Sequence, residues 1–562
     1  MTKHKKIIWL TSILAIAGLA FYFTTQNNPQ AKGGKQFGGE LHLAIKSKHT
    51  DINPLVSNTL DHHRVQQLIF EPLILPAANQ RGWNYLLAKK ITVLSDKKTV
   101  RISLRKNIRF APDPCFRLAS DELTAADVAF SLSLACANIK LIEQSNYFAG
   151  LIVGGAAFYQ NQENPFLKRV KGIRVIDDYL LEIKLTAPYN HFIQILGSPG
   201  FGMMSLQAAK YYKSRFFKHP VGTGPFQLQH SDKHIAEFRS NKNYWRKDVY
   251  GNQLPYTDKV IVKYGVSGAE AQQLFLQNQL DLLFDLPIDD LQEAFGTLND
   301  AKSGKNPLHE VYIKNTAKIH FLQFDCTKKP FNDPVLRKAF ALAIDTKTIC
   351  EEMLKGEGLP LNGYFIPTTQ GGLNAQKENP AQSFEERVFE AQRTLAQAGY
   401  NSKNPLPTIY LYVGAAKNTL AYRWSDAVAQ MLRQNLGVKI SVKTDELKGS
   451  SKNALWRSGW IGDYAGAESY LRLFYSGAQK PVFFKNRIVD ALYLNAVLAQ
   501  KEKEKQKAER SCEKEIMKQN AFLPIYTEGF ILLNQLHLRG LVLNQVGLID
   551  YAQLYIKELK TN

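Results

Sequence analysis

The residues of this sequence best suited to chemistry lie in one short run, Trp456-Arg-Ser-Gly-Trp-Ile-Gly-Asp-Tyr464. It sets three aromatic rings, a guanidinium and a carboxylate among glycines. A carboxylate in a closed cleft holds an ammonium through charge-assisted hydrogen bonds, about twice as strong as neutral ones. An Arg fork holds a carboxylate through two parallel bonds. A zwitterionic molecule such as a peptide presents both groups. Asp463, Arg457, Trp460 and Tyr464 are therefore the candidate ligand contacts. The competing structural reading is that Asp463 caps a turn or pairs with Arg457, and that Trp460 packs the loop.

No other cluster points to catalysis. His62-His63 has no partner at metal spacing, and neither HExxH nor a Cys/His cluster with zinc spacing occurs. The remaining histidines are scattered singly and read as surface. The nucleophile-elbow pattern Gly-x-Ser-x-Gly is absent, as is a phosphate-binding loop, so the chain would not hydrolyse ATP itself. The five cysteines, Cys115, Cys136, Cys326, Cys350 and Cys512, leave at least one unpaired within the chain. They read as buried thiols, or as one disulfide in an exported protein. No catalytic residue, metal ligand or cofactor is assigned.

Elements able to position the candidate run are legible along the chain. Glu40–Ile45, Thr99–Arg105 and Tyr179–Leu185 alternate apolar and polar residues as half-buried strands do. In the second of these, Val100, Ile102 and Leu104 face one way. Val65–Leu75 is mostly apolar and ends at Pro76. Thr124-Ala-Ala-Asp127 is a capping-box-like helix start with Asp in place of Glu. Asp333-Pro334 offers an N-cap and a first-turn proline, followed by an apolar stripe of Leu336, Ala339, Phe340, Ala343 and Ile344. Further helices are expected over Phe389–Ala398, Ala421–Leu436 and Leu498–Ala508, the last with a solvated, charged face. Strands and helices interleave throughout, which favours α/β lobes.

At 562 residues the chain exceeds one domain. Its start is basic, with Lys3, Lys5 and Lys6 before an apolar run from Ile7 to Phe23. That is an export signal, read as an uncleaved anchor in the inner membrane, with a cleaved peptide as the alternative. Thr24–Gly39 reads as a flexible tether. The formal charge of +21 comes from scattered lysines. No nucleic-acid-binding signature accompanies it, so it is a general surface property and not a sign of a nucleic-acid partner.

Several segments in order resemble the family-5 solute-binding proteins, which include oligopeptide- and dipeptide-binding proteins. Arg101–Phe110 resembles the family's "LRxxVxF" strand, and Leu123–Ser131 its "LTAxDVxFS" helix start. Pro220–Phe226 reads PVGTGPF, a turn whose glycines allow a conformation no β-branched residue makes. Asn241–Trp245 and Pro255–Lys259 follow as in the family. Pro330–Asp345 resembles "PFxDxxVRxAxxxAID", with Leu336 for Val, and Gly459–Tyr464 resembles "GWxxDY". Two departures stand out: a long loop before Thr124, and Ala-Gly-Ala-Glu-Ser after Tyr464, where many peptide binders carry Asn or Asp and Pro.

The resemblance implies a periplasmic-binding-protein-like, two-lobed hinge fold with an extra domain on the first lobe. The implied division is 1–23 signal or membrane anchor and 24–39 linker. Lobe I then takes 40–70, 191–305 and 523–562, the extra domain 71–190, and lobe II 306–522. It implies a periplasmic or cell-surface monomer that binds peptide between its lobes and delivers it to ABC transporter permease subunits. In oligopeptide-binding relatives the Asp of this loop meets the peptide's α-amino group, and the Arg six residues before it lies near the carboxylate end. Other ligands for the same fold are an oligosaccharide, a metal complex or a haem-like solute. Other functions are an exported peptide or cell-wall hydrolase, and an anchored sensor or chaperone.

Overall fold

The computed structural model describes residues 30–48, 52–55, 59–76, 83–139, 148–198, 200–284, 309–354, 358–361, 364–367, 382–447, 453–462, 464, 466–478, 483–543 and 548–557. The apolar run Ile7–Phe23 and Asp463 lie outside the described residues. Among the described residues no helix is long and apolar enough to cross a membrane.

The chain is already packed from Gln30, where a tether is expected. Strands β1 (Gln30–Ala31) and β2 (Lys35–Gln36) form a hairpin, and Gly38 N donates to Tyr256 O at 2.8 Å. The Lys35 ammonium lies 5.1 Å from the centre of the Tyr256 ring, 5.7 Å from that of Tyr250 and 3.6 Å from the Asp248 carboxylate. Ring faces attract such a cation. The glycines that suggest a linker serve instead to turn the chain: Gly33 has φ +77° and Gly34 φ +71°.

Next come β3 (Glu40–Ala44), helix α1 (Leu60–Ile69) and the pair β4 (Ile74–Pro76) and β5 (Trp83–Tyr85). An antiparallel sheet follows in the order β6 (Ala88–Val93), β7 (Thr99–Leu104), β9 (Leu180–Lys184) and β8 (Ile173–Asp177). Val100, Ile102 and Leu104 of β7 are buried, as their alternation predicts. The start of α2 (Ala125–Ala135) is the expected box: Thr124 N and Oγ1 donate to Asp127 Oδ2 at 2.8 and 2.9 Å. Asp127 Oδ1 also accepts from Leu206 N at 2.9 Å. Strands β10 (Phe226–Ser231), β11 (Ile235–Ser240) and β12 (Lys259–Lys263) pair in turn, and β12 runs parallel to β3. Both sheets share one continuous core, which also takes in Leu532, Leu538, Ile549 and Leu554 from the C-terminal segment.

Several matching motifs meet inside this first lobe. The buried Glu71 carboxylate accepts from Thr223 Oγ1 (3.0 Å) of the PVGTGPF turn, and from Tyr244 OH and Trp245 Nε1 (2.9 Å each) of the Asn241–Trp245 segment. The turn glycines serve close approach: a side chain at Gly222 would stand 2.1 Å from Ile69 O, and Gly224 N donates to that oxygen at 2.7 Å.

The second lobe is built on a seven-stranded sheet. Its members are β13 (Leu282–Phe284), β14 (His309–Phe324), β15 (Gly358–Pro360), β16 (Ile409–Tyr412), β17 (Ile440–Lys443), β18 (Ala454–Ile461) and β19 (Phe522–Gln535). Helices α3 (Pro334–Leu342), α4 (Phe384–Gln397) and α5 (Leu420–Leu436) contribute to one core, and α6 (Glu468–Leu471), α7 (Arg487–Leu498) and α8 (Glu502–Lys518) to another. The antiparallel pair β14 and β19 links the lobes. One end of β19 pairs with β13 beside the first lobe, and the far half of β14 pairs with β18. Its register shifts between Asn315 and Lys318 and again between His320 and Phe321. Such bulges bend and twist a ladder.

Helix α3 begins as expected, with Val335 N donating to Asp333 Oδ1 at 2.8 Å, and its predicted apolar stripe is buried. The motif arginine has a structural task. Arg337 is buried and donates to the carbonyls of Phe331 (2.7 Å), Gln519 (2.8 Å) and Asn520 (2.9 Å), tying α3 to the end of α8. Arg337→Met keeps the length but leaves these oxygens unpartnered. Each unsatisfied buried group costs about 1–3 kcal/mol, so stability should fall by roughly 3 kcal/mol. A urea unfolding midpoint unchanged from the parent would show that the carbonyls find other partners.

Three expectations need correction. The predicted helix Leu498–Ala508 is broken: α7 ends at Leu498 and α8 starts at Glu502. Its charges are not all solvated, because the Lys505 side chain is 13% exposed; beyond Ala508 the same helix also buries Glu509 and Glu513. Pairing permits this, since Lys505 Nζ reaches Glu468 at 2.9 Å and Glu509 at 3.6 Å. The remaining histidines are not all surface residues: His191 and His320 are buried, as are His62 and His63. An imidazole packs as a small ring, as His320 does when stacked 4.4 Å from Tyr526. All five cysteines are free thiols.

Candidate functional site

Strand β18 carries the candidate run at the centre of the second-lobe sheet, between β14 and β16. Alternation sends Trp456, Ser458 and Trp460 to one face and Arg457 to the other. Trp456 Nε1 donates to Gln323 Oε1 at 2.6 Å, and Trp460 Nε1 to Ser469 O at 3.2 Å. Trp460 packs against the core that α6, α7 and α8 cover. Arg457 is half-buried, and its Nε donates to Val413 O at 2.8 Å, just beyond β16. That bond fixes the guanidinium stem against the neighbouring strand.

The strand then leaves the sheet. Gly462 N donates to Tyr470 OH at 3.2 Å, and a side chain at Gly462 would stand 2.4 Å from Ser469 Oγ. Two residues on, Tyr464 is buried in the core of the other lobe, its ring stacked on His191 at 6.1 Å and 22°. The run that starts in one lobe ends inside the other.

Beside Tyr464 lies a cavity of about 230 Å³ shared by both lobes. Leu151, Tyr189, His191 and Ile195 line one side, and Tyr464, Arg472, Tyr475, Tyr493 and Val497 the other. Tyr475 and Tyr493 stack at 4.7 Å, and Tyr189 meets His191 edge to face at 5.7 Å. The wall is therefore mainly aromatic, with a cation and an imidazole among the rings. It can enclose an apolar or aromatic side chain and offer polar contacts at its edge.

The loop that supplies His191 also fastens the lobes together. Asn190 N donates to Val497 O at 3.0 Å, and Asn190 Nδ2 to Ala496 O and Ala499 O at 2.9 Å each. Gln500 Nε2 donates to Pro188 O at 2.7 Å. The end of α7 is thus capped by the opposite lobe, using carbonyls that a helix leaves without internal partners.

His191 is 4% exposed, and burial pushes it down to about 4, while the Glu468 carboxylate pulls the other way. Glu468 is fully buried and stays ionised beside Lys505, whereas burial raises Glu509. His63, bonded to Gln66 Oε1 at 3.2 Å, is likewise held down at about 4 by burial. The sign of the linkage follows. Below pH ~6.5 the unfolded histidines take up protons that the folded ones refuse until about 4, so their stabilisation is complete above that range and is lost as pH falls through it. Each shift corresponds to about 3 kcal/mol at its full extent. The fall in melting temperature from pH 7.5 to 4.5 should be shallower in His63→Gln/His191→Gln than in the parent. Parallel curves would mean these rings protonate freely in the fold.

The structure thus places Arg457, Trp460 and Tyr464 in and beyond one strand. Only Tyr464 of the three lines the cavity. Asn190, His191 and Arg472 were not singled out in the sequence. Their only signal there is a polar pair, Asn190-His191, directly after Pro188-Tyr189.

The family model for bacterial extracellular solute-binding proteins, family 5 Middle, matches residues 83–481. The dipeptide-binding protein DppE of Bacillus subtilis is 24% identical, over 98% of each chain. Among solved structures, the Escherichia coli murein tripeptide binding protein MppA superposes with a TM-score of 0.75 at 20% identity, covering 92% of this chain and 99% of its own. The ABC transporter-associated periplasmic binding protein DppA from Helicobacter pylori, in complex with the peptide STSA, gives 0.73 at 19% identity, covering 93% and 99%. The two-lobed α/β architecture is common to these structures, and the relatives are binding proteins. The chain belongs to the bacterial extracellular solute-binding proteins, family 5.

Proposed function

We propose that the chain binds peptides between its two lobes and delivers them to the permease subunits of an ABC importer, without catalysing a reaction. The observation that carries this reading is the shared aromatic cavity at the end of the 456–464 run. It is supported by DppE being a dipeptide-binding protein, MppA a murein tripeptide binding protein and DppA being in complex with a peptide. In this reading Asp463 holds the peptide's α-ammonium and Arg457 serves the carboxylate end. Tyr464 walls the first side chain, and Trp460 braces the strand. In this reading the lobes take the division expected from the sequence, except that β13 and β19 join the second-lobe sheet and the chain is packed from Gln30 on. Lys3 to Phe23 exports the chain, holds it at the inner membrane and places the monomer outside the cytoplasm. Calorimetric titration with short peptides tests the proposal: saturable one-to-one binding is expected, with no heat from oligosaccharides. Saccharide binding without peptide binding would reverse it.

Closure is expected to depend on the bonds between the loop at Asn190 and α7. Asn190→Ala removes two interlobe bonds, each worth about 1 kcal/mol net. The open form should gain population, and peptide affinity should fall by roughly tenfold. Small-angle scattering of the peptide-free protein should show a larger radius of gyration than the parent. Identical scattering and identical affinity would make these bonds incidental to closure.

A further inference from the structure

Helix α8 presents a row of cations that meets no anion among the described residues. Lys503, Lys507, Arg510 and Lys514 are exposed, and with Gln506 and Ser511 they line one shallow depression. At 100° per residue the four fall within about 60° of the helix circumference, along roughly 16 Å of its length. None of the four is in an ion pair among the described residues. The acids of α8 are engaged elsewhere: Glu504 pairs with Lys501 at 3.3 Å and Glu515 with Lys518 at 3.9 Å. Glu502 accepts from Gln506 at 2.9 Å, and Glu509 and Glu513 are buried. Like charges at i, i+4 and i, i+3 destabilise a helix by a few tenths of a kcal/mol each. The row therefore carries a cost that no ion pair among the described residues offsets, as a surface kept for a partner would.

We infer that this face of α8 rests on an anionic phospholipid surface. The row lacks the feature a protein partner would need, because no exposed aromatic or large apolar side chain stands in it to act as an anchor. It has what a charged membrane needs: long, mobile cations in a line, each worth about 1 kcal/mol near such a surface. The inference does not depend on peptide binding.

Vesicle co-sedimentation of the full chain tests it, comparing phosphatidylcholine vesicles with vesicles containing phosphatidylglycerol. The N-terminal segment, with Lys3, Lys5 and Lys6, is common to parent and variants, so the row's share is read as the difference in lipid preference between them. The parent should prefer phosphatidylglycerol at least about tenfold at low salt, and lose that preference at high salt. K503Q/K507Q/R510Q/K514Q should abolish the preference while folding normally. A control variant removes the same charge from Lys97, Lys171, Lys184 and Lys233, which are exposed away from α8, and should keep it. Equal loss in both variants would trace the effect to net charge and overturn the inference. A parent with no lipid preference would overturn it too. If that parent bound polyglutamate, and the row variant did not, the partner would be an acidic protein instead.

Discussion

Asp463→Asn should weaken peptide binding by at least about a hundredfold. The substitution keeps the shape of the side chain and removes its charge. In the proposed complex the peptide's α-ammonium is then buried without a counter-ion. Breaking one side of a buried pair typically costs about 3–5 kcal/mol, and each 1.4 kcal/mol is roughly tenfold in affinity. The residues on either side belong to different lobes: Gly462 is bonded to Tyr470 in one, and Tyr464 is buried in the core of the other. Acetylating the peptide's N-terminus should weaken parental binding by a similar factor and harm the variant much less. Both changes remove one shared interaction, so their effects should not add. Additive effects in calorimetry would mean that Asp463 does not touch the ammonium. Arg457→Ala should cost less, because its Nε already serves the Val413 carbonyl.

The second large effect concerns stability. Lys505→Met should destabilise the second lobe by about 3–5 kcal/mol, the range for an ion left buried without its partner. Lys505 Nζ lies 2.9 Å from Glu468, whose side chain is fully buried, and 3.6 Å from Glu509. Removing the ammonium leaves Glu468 either ionised without a counter-ion or forced to take up a proton. The double variant Lys505→Met/Glu468→Gln should recover most of the loss, because neither charge then remains. Chemical denaturation of the two variants decides this. Equal instability of single and double variants would mean that packing, and not charge, sets the cost. The cluster stands behind His191, so the single variant should also disturb the contact between the lobes.

Much of the fold was legible because local rules acted alone. The alternation in Thr99–Leu104, the capping box at Thr124 and the N-cap at Asp333 each depend on residues a few positions apart, and each appears as read. The turn at Gly222 was legible as a turn, but its reason was not. The glycine is required by Ile69, which is remote in sequence. The same distance hid the Glu71 cluster, whose donors lie more than 150 positions away.

Where the reading failed, tertiary contact overrode composition. A Gly-rich segment looked like a tether, yet Lys35 is held by two tyrosines and Asp248. A Lys/Glu-rich helix looked solvated, yet Glu468, a residue outside it, draws Lys505 inward. The site was legible as a run of residue types, through Arg457, Trp460 and Tyr464. Its other wall was not, because Tyr189 and His191 come to it from a segment remote in sequence.

The central claim is that the cleft between the lobes holds a peptide. Native mass spectrometry of the protein, purified without denaturation from the cells that export it, tests this most directly. The expected adducts dissociate on activation and fragment as short peptides with free amino termini, present in the parent and depleted in Asp463→Asn. Adducts that fragment as saccharides or metal complexes, or peptide adducts equally abundant in both proteins, would contradict it.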